Sequence, residues 1–163
     1  MWQGHDDIFL RKGNYTIEIL RRFGMMDYKS MDTPMEENLK NSCDFAISSD
    51  LVDPTMYHQL IGSLLYLVNS RPNICYVVNA LSQHMVEPRQ FNWKKTKHVL
   101  RYLRCTFGYR LRYTSSDGVK LVGFTDSDWA GSAVGRKITF RCCFSLGLAM
   151  VSWFNKKQTS VAL

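Results

Sequence analysis

No apolar run in this chain approaches the roughly 20 residues that a membrane-crossing helix needs. The purest stretch is Leu64 to Val68, so no membrane association is expected. The N-terminus, "MWQGHDDIFLRK", has no basic start leading into an apolar core and does not read as a secretory signal. There is no Cys-x-x-Cys pair, and the 5 cysteines make an odd count. A disulfide framework is therefore not expected, whereas reduced, buried thiols in a reducing compartment are. The expected location is intracellular, cytoplasmic or nuclear. The 4 histidines are scattered, without metal-ligand spacing to the cysteines, which argues against structural zinc. Neither an internal repeat nor a low-complexity tract is present.

A further absence is local. Between Glu87 and Asp117 there is no acidic residue, while Arg89, Lys94, Lys95, Lys97, Arg101, Arg104, Arg110 and Arg112 all fall there. Those positives exceed the net charge of +7 carried by the whole chain, so the remainder is close to neutral. Charge concentrated in this way points to a polyanion partner.

What is present argues for a folded chain. At 163 residues, 45% apolar and 13% aromatic, it can bury one real core or two small ones. A short strand at Ile8 to Leu10 precedes a helix capped by Asn14 and stopped by Gly24, with Ile17, Leu20 and Phe23 near one face. Periodicity is lost from Met25 to Val52, which reads as a long connection. Asp53-Pro54 then opens a helix with Tyr57, Leu60, Ile61, Leu64, Leu65 and Val68 as its apolar stripe, and Gly62-Ser63 as a spot for close helix approach. Arg71-Pro72 breaks it and starts a second helix with Ile74, Val77, Val78, Leu81 and Met85 inside. Glu87-Pro88 ends that one, and a third helix runs from Phe91 to Cys105. After Gly108 the period becomes strand-like. "YRLRY", a turn at Ser116-Asp117-Gly118, "VKLVGFTD", "ITFRCCFSL" and "LAMVSWFN" read as an antiparallel meander, which makes the fold class α+β.

Two constellations carry chemistry. At about 100° per residue, Lys94, Lys97, Arg101 and Arg104 fall within an arc of roughly 80° on the third helix. Trp93, Thr96, Val99, Leu100, Leu103 and Phe107 occupy the neighbouring side. Such a cationic ridge could track phosphates without reading sequence; a solvated helix face is the alternative. The second is "GFTDSDWAG", where Asp126 and Asp128 would share a face of a strand and repel unless a divalent cation such as Mg²⁺ joined them. The alternative is that Asp126 ends a strand and Asp128 shapes a turn.

"YHQLIGSLLYL", "SRPNICYVVNALSQHM", "KHVLRYLRCTFGYRLRY", "GFTDSDWAGS" and "VSWFNKKQTSVAL", with "YTIEILRRFGMMDYKSMDTPM" before them, resemble the Pol polyprotein of copia-type LTR retrotransposons. The resemblance covers nearly the whole chain in the family's order. It implies the end of a reverse transcriptase over residues 1–52, a helical thumb-and-connection region over 53–108, and an incomplete RNase H-like β-meander over 109–163. It places the first RNase H catalytic aspartate, a Mg²⁺ ligand in the intact family, at Asp126, and gives Asp128 no role. A two-metal nuclease needs several acids from different elements. Relatives continue into a Ser-Thr-x-Glu-Ala-Glu helix, whereas this sequence ends at Leu163. Its Phe140 and Arg141 stand where the family has small Ser-Gly positions. Asp6-Asp7 lacks the aromatic residue and preceding strand of a polymerase Tyr-x-Asp-Asp turn. The expectation is therefore a truncated fragment without catalysis or tight metal binding, keeping affinity for RNA–DNA hybrid or other nucleic acid. Two other functions are weighed: a secreted RxLR-type effector, suggested by Arg101-Tyr102-Leu103-Arg104, and a co-opted interaction protein that self-associates through an exposed sheet edge.

Overall fold

The computed structural model describes residues 1–5, 7–35, 50–114, 120–128 and 139–157. These divide into two units, Arg11–Arg110 and Met1–Leu10 with Leu111–Leu163.

The first unit is helical. Helix α1 (Gly13–Arg22) has its cap position two residues before the expected Asn14: Lys12 occupies it, without a side-chain cap bond. The reason is tertiary. Lys12 Nζ donates to the Tyr66 carbonyl at 3.0 Å and stands 3.3 Å from the Tyr66 ring centroid, fixing the entry to the helix. The stop is as expected. Gly24 has φ +63°, its N–H donates to the Arg21 carbonyl at 3.1 Å, and Met25 N–H reaches back to the Leu20 carbonyl at 2.7 Å. This is the paired bonding of a left-handed helix cap, closed by apolar contact between buried Leu20 and Met25.

Helix α2 (Pro54–Val68) follows Asp53, whose Oδ1 accepts from the Thr55 N–H at 2.9 Å. Tyr57, Leu60, Ile61 and Leu64 are buried, and Leu65 and Val68 are half-buried against the core. Leu67, outside the expected stripe, is fully buried, because α2 meets both α1 and the segment after it. Gly62 is exposed, with no described residue within 4 Å of where a Cβ would stand, so no described helix approaches closely there. Ser63 is buried, and its hydroxyl donates to the Gln59 carbonyl at 2.8 Å.

A single 3₁₀ turn at Pro72–Ile74 leads into α3 (Cys75–Ser82), whose Val77, Val78 and Leu81 are buried together with Ile74. Helix α4 (Gln90–Thr106) buries Val99, Leu100 and Leu103 in the same core. Phe107 is not on its inner side: it lies just past the helix end, nearly half exposed. Arg71, expected only as a breaker, is 4% exposed. Its guanidinium donates to the Thr106 carbonyl at 2.7 Å and to Thr106 Oγ1 at 2.5 Å, so it closes the C-terminus of α4.

The second unit holds two antiparallel sheets. Strands β1 (Trp2–Gln3), β2 (Asp7–Leu10) and β3 (Leu111–Thr114) form one, and β4 (Leu121–Asp128), β5 (Thr139–Leu146) and β6 (Ala149–Lys157) the other. The α+β class is as expected, but the continuous meander from "YRLRY" is not: β3 pairs with β2, from Asp7↔Thr114 to Leu10↔Leu111, and not with β4. Ser116-Asp117-Gly118 lies outside the described residues. The β5–β6 hairpin does form at Gly147, whose φ of +60° suits the first position of a two-residue loop between Leu146 and Ala149. Among the described residues no helix is long and apolar enough to cross a membrane.

Candidate nucleic-acid interface and the Asp126 strand end

Helix α4 displays the cationic side chains on the face away from its buried one. Lys94 is exposed; Lys95 Nζ stands 4.0 Å from the Phe91 ring centroid and Lys97 Nζ 5.5 Å from that of Trp93. Cations over ring faces gain from the ring quadrupole and are held in place by it. The other two heads of the ridge have a structural task. Arg101 Nε donates to the Lys29 carbonyl at 2.6 Å, and Arg104 donates to the Tyr28 carbonyl. One turn before Arg101, His98 Nε2 donates to the Thr33 carbonyl at 2.9 Å.

The segment Met25–Met35, expected to be part of a long connection without periodicity, is therefore strapped along α4, with Met25 in the core. Backbone carbonyls are neutral, so they orient the guanidinium groups without cancelling their charge. Strap and helix leave a half-open cleft of about 370 Å³ between them, lined by Tyr28, Phe91, Lys94, Lys95, Lys97 and Arg101, among others. No carboxylate lines it among the described residues. Tyr28 and Phe91 escaped the sequence reading, although for Phe91 the i, i+4 spacing of Phe91 to Lys95 and Trp93 to Lys97 in "FNWKKTK" was a legible signal.

The structure places Asp126 near the end of β4, directly opposite Arg141 on β5. Arg141 donates from its guanidinium to Asp126 Oδ2 at 3.0 Å, while the carboxylate stays two-thirds exposed. Arg141 thus places a cation directly against the Asp126 carboxylate. Asp128 lies two residues on in the same strand, opposite Thr139. Among the described residues no three His, Cys, Asp or Glu gather as a metal group. Asp7 is committed elsewhere, taking both Nε and a terminal nitrogen of Arg112 at 3.1 and 3.0 Å across the β2–β3 pair. Asp6 lies outside the described residues. The four described cysteines are free of disulfides; Cys43 lies outside them.

Over 155 residues, 95% of its length, the chain is 36% identical to an uncharacterized mitochondrial protein of Arabidopsis thaliana, of which it covers 63%. It is 35% identical over 154 residues to the retrovirus-related Pol polyprotein from transposon RE2 of the same plant. The chain belongs to the copia-type retrotransposon Pol family.

It spans only 10% of the RE2 Pol polyprotein. A third relative, at 42% identity over 108 residues, is the secreted RxLR effector protein 161 of Plasmopara viticola; the match takes in 66% of the Pol chain and 76% of that protein. In the Pol chain, Arg101-Tyr102-Leu103-Arg104 lies inside α4, with Leu103 fully buried, Tyr102 nearly so, and both arginines bound to the strap. No family model matches the chain, and neither does any solved structure.

Proposed function

We propose that this Pol segment binds nucleic acid through the cationic face of α4, and that it comprises the end of the reverse transcriptase, its connection helices and the first strands of an RNase H-like sheet. The observation that carries the binding reading is the cleft wall: Lys94, Lys95, Lys97 and Arg101 converge there with no described carboxylate among them. Phosphates released from their counterions would supply the affinity, without base recognition. RNA–DNA hybrid is the partner that suits the family. The working compartment is intracellular, where such hybrids occur.

The same proposal makes the segment non-catalytic by itself. Asp126 has its carboxylate occupied by Arg141, so Mg²⁺ would have to displace a guanidinium and then find further acids. The antiparallel order β4-β5-β6 with Asp126 on its first strand supports the RNase H-like assignment.

Binding of a labelled RNA–DNA hybrid tests both parts. Lys94→Gln with Lys97→Gln is expected to weaken binding about tenfold, since two phosphate contacts at roughly 0.7 kcal/mol each amount to that factor. The strand should remain intact in Mg²⁺; cleavage abolished by Asp126→Asn would overturn the non-catalytic part. The relative named as a secreted effector favours a second reading, secretion. It predicts the protein in culture medium, and the buried Leu103 argues against use of the tetrapeptide in the folded state.

A further inference from the structure

We infer that the cleft between the strap and α4 holds one unpaired nucleotide, its base stacked on Tyr28 and its phosphates met by Lys94, Lys97 and Arg101; this rests on the nucleic-acid reading above. Three observations lead there. The first is shape. A half-open space of about 370 Å³ lies in the range of small-ligand sites, roughly 300–1,000 Å³, and is too narrow to admit a paired helix.

The second is the state of the aromatic ring. Tyr28 is half exposed although its own carbonyl is held by Arg104 and the next by Arg101. An aromatic ring costs free energy to display in water, and here its backbone is pinned so that the ring stays at the cleft. Phe91 differs: Lys95 already stands over its ring at 4.0 Å. Tyr28 is therefore the ring offered to a ligand. The third is charge. Lys94, Lys97 and Arg101 line the cleft from α4, and the acidic side chains of the strap, Asp27 and Asp32, do not line it.

A flat apolar platform opposite a row of cations is the arrangement that receives single-stranded nucleic acid, where stacking is sequence-tolerant and the backbone follows the positive groove. A duplex can use the outer cations alone, but its bases are inaccessible to Tyr28. The site therefore discriminates a strand end or single-stranded stretch from the paired region beside it.

The test uses the full chain and three probes: a short single-stranded DNA carrying 2-aminopurine, the same strand with abasic positions, and an RNA–DNA hybrid. Wild-type protein should bind the single strand with quenched 2-aminopurine fluorescence and about tenfold more tightly than the abasic strand, the value of one stacked base. Tyr28→Leu should erase that preference and the quenching, and Tyr28→Phe should keep both. The inference is overturned if the base-containing and abasic strands bind wild type equally, or if Tyr28→Leu retains the preference. If Lys94→Gln with Lys97→Gln changes neither single-strand nor hybrid binding, the broader nucleic-acid reading fails with it. If the lysines matter and Tyr28 does not, only this inference falls.

Discussion

Arg71 and Tyr57 each put a polar group inside the helical unit, and each has a measurable consequence. The Arg71 guanidinium meets neutral oxygens of Thr106 and Asn73, with the Tyr109 ring 5.3 Å away. Burial pushes its pKa down, with Tyr102 and Tyr109 opposing that shift. Arg71→Met would leave the Thr106 carbonyl at the end of α4 without its donor. The expected cost is about 2–3 kcal/mol, read as a lower urea midpoint at unchanged slope. Tyr57 is fully buried, its hydroxyl donates to the Leu81 carbonyl at 2.9 Å, and burial pushes its pKa up to about 12, against a smaller lowering from Thr96. In the unfolded chain the phenol ionises near its ordinary value of 10.0. Between these values the unfolded state has lost the proton and the native state keeps it. Stability from this group is thus complete below pH 10 and lost as pH rises towards 12. Tyr57→Phe should flatten the alkaline fall in melting temperature while costing about 1 kcal/mol at neutral pH through the missing hydrogen bond. Neither residue was legible as a buried hydrogen-bonding anchor in the sequence: Arg71 reads only as a breaker before proline, and Tyr57 only as one apolar position in a stripe.

At the scale of elements, what could be read locally was read. Asp53-Pro54 starts α2 because a carboxylate beside free N–H groups and a proline at the first helical position act within one turn. Gly24 ends α1 because only a residue without a Cβ takes φ +63° cheaply. Gly24→Ala should cost about 1 kcal/mol by denaturant titration; no loss would mean that the cap is dispensable. The β2–β3 pair was not legible, since it joins Arg112 to Asp7 across 105 positions and local alternation cannot name a partner so remote. The strap was missed for the same reason: Met25–Met35 is ordered by donors from α4, not by its own periodicity. Of the four ridge cations, the sequence gives charge and spacing but not that Arg101 and Arg104 are committed to the strap. Arg101→Gln with Arg104→Gln should therefore speed tryptic cleavage at Lys29, whereas the lysine pair should not. That difference separates loop tethering from phosphate binding. Likewise, a signal for Arg141 on Asp126 existed only once β4 and β5 were in register.

For the molecule as a whole, the helical unit carries the proposed binding function and the sheet unit carries Asp126. Strand β4 stands at one end of its sheet, with Leu121 63% and Phe124 53% exposed. An edge with apolar side chains that no other described strand pairs invites association. We expect self-association there, reduced by Phe124→Lys in light scattering; a wild-type monomer at every concentration would remove that expectation. The most direct measurement of the central claim is the salt dependence of hybrid binding. If Lys94 and Lys97 touch phosphates, the slope of log K against log salt should become shallower by about 2 when both are changed to Gln. An identical slope in the two proteins would contradict the account, since it would leave α4 with a charged face that no nucleic acid uses.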